Sequence, residues 1–209
     1  MEHKPKNLEL ERLVFFSDAV VAIAITLLAL DLKIETEHSG HLTFADILHS
    51  WRKFLAFTLS FFYVAVFWKI HHEFYSYIRK IDAKIMIYNI AWLFFVVTLP
   101  FTTSLISSDF SDSPAIFMYC MNTLFITLFQ NQIWDYVAVR PEFLNERLTG
   151  EVNFANRISC NVAMLNALLA SVLALFYPVP AFIVLACRYP TIVLSRKFFK
   201  YKQPQNSQP

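Results

Sequence analysis

Charge and glycine are both scarce in this chain. Only 16% of its 209 residues are Asp, Glu, Lys or Arg, against about 25% in an ordinary soluble domain. An ordinary soluble globular domain is therefore a poor match. Cysteine is sparse and odd in number, three in all, which excludes a disulfide scaffold. The net charge of +2 gives no reason to expect nucleic acid as a partner. Intrinsic disorder is excluded as well, because it needs low hydrophobicity and high net charge. What is abundant is apolar: 56% hydrophobic residues, with 22 Phe against 2 Gly. That balance predicts an integral membrane protein embedded in a lipid bilayer.

A helix crosses the hydrocarbon with about 20 mostly apolar residues. Six stretches meet or approach this: about Leu13–Leu32, Leu55–Ile78, Ile85–Ile106, Ala115–Val137, Ile158–Tyr177 and Ala181–Phe199. The fourth is polar near its end, and Arg188-Tyr189-Pro190 interrupts the sixth. Pro100 and Pro190 are expected to kink their helices. With the N-terminus cytoplasmic, 13 of the 18 Lys and Arg lie inside. Lys33, Arg52 and Lys53 lie outside, and Lys69 and Arg188 fall within spans. This is a positive-inside bias. The expected fold is all-α: a multi-pass protein of the cell membrane with six transmembrane helices and both termini cytoplasmic. Residues 1–202 form a single domain in this reading, and 203–209 (QPQNSQP) a disordered tail. Segment 41–53 has the character of a short interfacial helix.

Ionisable groups inside spans are costly and usually face the bundle interior or a water-filled cavity. On the first span, at about 100° per residue, Ile23, Leu27 and Leu30 share a narrow stripe with Thr26 at its edge. Ser17 and Asp18 project away from that stripe. At a similar depth the second span carries His71 and His72, with Trp68 one turn earlier. An Asp18 carboxylate accepting from a histidine ring N–H would lower the cost of burying both. Such a network is either a packing staple or a proton relay through His71 or His72. Asn89 and the amides of spans four and five read as interhelical hydrogen bonds. Lys69 is expected to snorkel or to pair, and Arg188 to pair within the bundle.

Enzyme signatures are absent, with no G-x-S-x-G, H-E-x-x-H or Walker motif, and no enzyme activity is expected. Adjacent His71 and His72 point about 100° apart on a helix and do not share a metal easily. The only glycines, Gly40 and Gly150, lie outside the spans, so a TVGYG-type carbonyl filter cannot be built.

The string Arg12-x-x-x-Phe16-Ser17-Asp18 at the start of the first span resembles the R-x-x-x-F-S-D signature of the transmembrane protein 175 family of potassium channels. Six spans and the apolar stripe just after the motif add specificity, and the length suits the prokaryotic branch. The resemblance implies a homotetramer with the first helix lining a central pore. Ile23, Thr26, Leu27 and Leu30 would form its constriction, and Arg12, Phe16, Ser17 and Asp18 a structural network, extended on depth alone to Trp68, His71, His72 and Asn89. An ideal wheel places Arg12 on the pore stripe instead. Without the resemblance, an i, i+4, i+7 apolar stripe reads as plain helix packing. The function it implies is a weakly selective, potassium-permeable cation channel with a hydrophobic gate. Potassium enters as the permeant ion and no cofactor is expected. The alternative is a proton-coupled transporter or proton leak using Asp18 and His71 or His72. Asp31, Glu35, Glu37, Asp109 and Asp112 either concentrate cations at the outer mouth or are ordinary loop charges.

Overall fold

The computed structural model describes residues 8–34 and 41–199. The 203–209 tail, together with Glu35 and Glu37, lies outside the described residues. Among the described residues eight α-helices follow one another: α1 Leu8–Leu27, α2 Phe44–His49, α3 Trp51–Tyr77, α4 Ala83–Ser108, α5 Ser113–Ala138, α6 Gly150–Ala174, α7 Pro178–Ala186 and α8 Arg188–Phe198. A 3-10 turn, Leu28–Asp31, extends α1. Among the described residues the only β pairing is an isolated bridge, Ile78 with Leu144. The fold is all-α, as expected.

Successive long helices run antiparallel. The end where α1 begins, called the lower end here, also holds the end of α3, the start of α4, the end of α5 and the start of α6. Contacts fix this register: Asp18 meets Trp68, Tyr136 meets Asp82, and Asp135 meets Arg157. Asp82 starts α4 by accepting from the Ile85 backbone N–H at 2.9 Å, and it takes the Tyr136 hydroxyl at 2.7 Å. Partial desolvation raises its pKa. The hydrogen bonds from Ile85, Tyr136 and Lys84 and the nearby Arg140 outweigh that and hold the carboxyl below the usual carboxylate range. The predicted helix in segment 41–53 is α2, opened by a Thr43–Asp46 capping box.

Among the described residues four helices, α1, α3, α4 and α6, are long and apolar enough to cross a membrane; α7 and α8, bent by 53°, add a fifth when taken as one broken span. The protein is therefore multi-pass. The remaining expected span, the fourth, is α5, which has 26 residues and carries Asn122, Gln130, Asn131 and Gln132. Its position explains its composition. It packs against α4, α6 and α7, and three of its amides bond within the bundle. Gln130 donates to the Phe67 carbonyl at 3.0 Å, Asn131 to Asn161 at 3.2 Å, and Asn122 accepts from Thr98 at 3.0 Å. A helix screened from lipid by its neighbours needs less apolar surface of its own. On α6, Ala163, Ala167, Ala170 and Ala174 are buried in 4-3-4 spacing, letting backbones approach closely.

The helix α4 runs unbroken through Pro100. Pro190 sits in the first turn of α8, where a missing N–H costs little, and the break falls just before it at Cys187.

Candidate functional site

Helix α1 has two faces. Leu13, Ser17, Val21, Ala24 and Leu28 are buried against α3 and α4. Their 4-4-3-4 spacing is the inward stripe of an α-helix. Roughly 110° round the helix from it lies the second stripe. Ile23 is 60% exposed, Leu27 37% and Leu30 65%, and Thr26 is exposed as well. None of these faces the interior of its own chain. Packing within the chain therefore does not account for the apolar stripe; whatever covers it comes from outside. Thr26 turns its hydroxyl back onto the Ile23 carbonyl at 2.8 Å. Arg12 and Phe16 are exposed too.

The polar side of α1 is tied to α3 and α4 by two separate sets of hydrogen bonds. In the first, the Trp68 indole N–H donates to Asp18 Oδ1 at 2.8 Å, and the His72 ring lies against Trp68 with centroids 5.6 Å apart. In the second, Asn89 is the hub and is wholly buried. Its Oδ1 accepts from His71 Nε2 at 2.7 Å and from the Tyr75 hydroxyl at 3.1 Å. Its Nδ2 donates to Ser17 Oγ at 2.9 Å, and that hydroxyl donates on to the Leu13 carbonyl at 2.8 Å. Since Oδ1 only accepts, the proton of His71 resides on Nε2. Its Nδ1 is buried with no partner among the described residues. The His71 ring is stacked on Trp92 at 4.3 Å and lies 4.4 Å from Tyr75.

The expected Asp18–histidine bond is therefore replaced by Asp18–Trp68, with Asn89 between Ser17 and His71. The reason is helix register. Adjacent His71 and His72 face different ways on α3, and only Trp68 presents a donor to the Asp18 face. Ser17, Asp18, Trp68, His71 and Asn89 come together, whereas Arg12 and Phe16 do not join them and His72 does so only through ring contact. Tyr75 went unnoticed in the sequence. Its position one turn after His71 on the same face of α3 was the available signal.

A second polar layer lies toward the upper end. Ser60 shares hydrogen bonds with Tyr119 at 2.9 Å and Thr103 at 2.7 Å. Beyond the helices, Asp109 accepts from the Ser111 backbone and hydroxyl, which lowers its pKa. Lys69 is exposed on α3. Contrary to expectation, Arg188 has no ion pair among the described residues; its guanidinium lies 4.5 Å above the Phe67 ring, buried.

Comparison with known proteins adds independent findings. The model of the family described as "Endosomal/lysosomal potassium channel TMEM175" matches residues 12–100. A potassium channel of Chryseobacterium sp. is 30% identical over 168 residues, spanning 80% of this chain and 83% of that protein. The rat endosomal/lysosomal proton channel TMEM175 is 32% identical over 141 residues, which is 66% of this chain but 28% of that protein. Among solved structures, a lysosomal potassium-selective channel TMEM175 homolog from Chamaesiphon minutus matches with a TM-score of 0.77 at 25% identity. That match covers 90% of this chain and 98% of the other.

Proposed function

The chain belongs to the TMEM175 family, and from that premise we propose that it is a potassium-permeable cation channel working as a homotetramer, with α1 lining a central pore. The observation that carries this reading is the uncovered apolar stripe of Ile23, Leu27 and Leu30 on a helix otherwise anchored to α3 and α4. Four copies of that stripe around one axis cover each other and leave a narrow dry neck.

Such a neck closes by dewetting and opens when α1 tilts or rotates. An apolar ring offers no coordinating oxygen, so selectivity is weak and follows the dehydration cost, which is lower for potassium than for sodium. The buried bonds at Ser17 and Asn89 hold the lower part of α1 in place, so movement is expected above them. Six spans, with α5 counted among them, put both termini and the Lys/Arg-rich lower end in the cytoplasm.

Flux from proteoliposomes loaded with potassium or sodium tests the proposal. The wild type is expected to release potassium moderately faster than sodium. Leu27→Ala is expected to raise flux and flatten the preference with folding intact. If Ile23→Ala, Leu27→Ala and Leu30→Ala each leave flux and preference unchanged, the pore is elsewhere.

A second reading, proton permeation, draws on the relatives named as proton channels. A relay through Asp18 and His71 or His72 has less support, because Asp18 and His71 belong to separate hydrogen-bond sets. Dye-reported proton flux that survives Asp18→Asn but changes with Leu27→Ala assigns protons to the same axis. Loss of that flux in Asp18→Asn alone favours the relay.

A further inference from the structure

Arg188 occupies an unusual place. It opens α8 just after the 53° bend, is 3% exposed, and leaves both Nε and Nη1 buried without a hydrogen-bond partner among the described residues. The Phe67 ring, 4.5 Å from the guanidinium carbon, is an apolar neighbour that supplies no counter-charge. A buried charge without a counter-charge is strongly destabilising. This side chain therefore calls for an anion that the described residues do not supply.

The same residue lines an open cleft of about 200 Å³ between α3, α5, α6 and α8, in the lower half of the bundle. Other donors converge there. Asn156 is buried with its Nδ2 unpartnered among the described residues. Lys69 and Arg196 line the same cleft, and Arg196 Nε donates to Ser159 Oγ at 2.7 Å. Glu73 is the one carboxylate in the lining, and it makes no ion pair with Arg188. The lining thus carries Lys69, Arg188 and Arg196 against Glu73 alone.

We propose that this cleft is a binding site for a phosphate-bearing anion, held by Arg188 and Asn156 at its base and by Lys69 and Arg196 at its mouth. The guanidinium fork matches phosphate oxygens. A water takes about 30 Å³, so the cleft admits a phosphate with part of its ester arm. Basic pockets between transmembrane helices on the cytoplasmic side suit phospholipid head groups. The same chemistry also accepts free phosphate. The site lies apart from the α1 stripe and does not depend on the pore reading.

Thermal unfolding of the purified full chain in detergent tests it, with dioctanoyl-phosphatidylglycerol, dioctanoylglycerol or inorganic phosphate added. A rise in melting temperature with phosphatidylglycerol and none with dioctanoylglycerol is expected. A rise with inorganic phosphate as well identifies the free ion as sufficient; a rise with the lipid only identifies the head group. In either case Arg188→Gln is expected to weaken the apparent affinity about tenfold or more, the loss of a charge-assisted hydrogen bond. Glu73→Gln, which removes the opposing charge and leaves Arg188 in place, is expected to tighten it. Equal stabilisation by dioctanoylglycerol overturns the proposal, and so does an unchanged response in Arg188→Gln. A Glu73→Gln protein that loses both stability and the phosphate response makes Glu73 the counter-charge of Arg188 and overturns it as well.

Discussion

Replacing Asn89 with Leu removes the hub that joins α1, α3 and α4 while keeping the side-chain volume similar. The wild-type Asn89 accepts from His71 and Tyr75 and donates to Ser17. After the change the Ser17 hydroxyl still donates to Leu13, so it loses only an acceptor role. The His71 Nε2–H and the Tyr75 hydroxyl become buried orphans. Each orphan costs about 1–3 kcal/mol in soluble proteins. Interhelical bonds in membranes average nearer 0.6 kcal/mol. Together these give about 2 kcal/mol for Asn89→Leu. At about 2–4 °C per kcal/mol for a chain of this size, melting falls by roughly 4–8 °C. Ser17→Ala leaves only Asn89 Nδ2 without its acceptor and is expected to cost about 1 kcal/mol. Because that cost passes through Asn89, Ser17→Ala in the Asn89→Leu background should cost almost nothing. Fluorescence-detected melting of the four proteins gives the double-mutant cycle. If Asn89→Leu melts with the wild type, or if the two changes simply add, the hub is not holding the helices together.

Other expectations follow from single contacts. Asp82 has a depressed pKa when folded, so its contribution is complete above its unfolded value of about 4 and is lost as pH falls through the lower folded value. A melting series below pH 5 should show this loss in the wild type and a shallower fall in Asp82→Asn, which keeps the helix cap. Identical pH profiles would remove Asp82 from the acid response. Trp68→Phe deletes the donor to Asp18 but keeps the ring against His72. This site is partly exposed, so a cost of no more than about 1 kcal/mol is expected by melting, equalled by Asp18→Ala and not increased when the two are combined.

Legibility in the sequence followed how local the physics was. Hydropathy and length are local quantities, so α3, α4 and α5 appear close to where the sequence places them, whereas α6 begins earlier than expected, at Gly150, which the sequence reading places outside the spans. The α7–α8 break falls within a few residues of the Arg188-Tyr189-Pro190 interruption. The signature motif is local too, and together with the span count and the apolar stripe it points to the family. Depth along a span is nearly local, which is why Asp18, Trp68, His71 and Asn89 were gathered at one level. Partner choice at that level was not legible. It depends on how α1, α3 and α4 are rotated about their own axes, and side-chain chemistry alone leaves an Asp free to meet a His or a Trp.

The amino-acid order by itself determined a membrane-embedded, all-helical chain with an apolar stripe and a polar pair on different sides of its first helix. Only the tertiary structure decided that the stripe is left uncovered while Ser17 turns inward to Asn89, that Asp18 binds Trp68, and that Arg188 is buried without a counter-ion among the described residues. An apolar residue in a bilayer protein reads the same whether it faces lipid, a neighbouring helix or a shared axis. The packing of the other helices against α1 is what separates its inward face from its uncovered one.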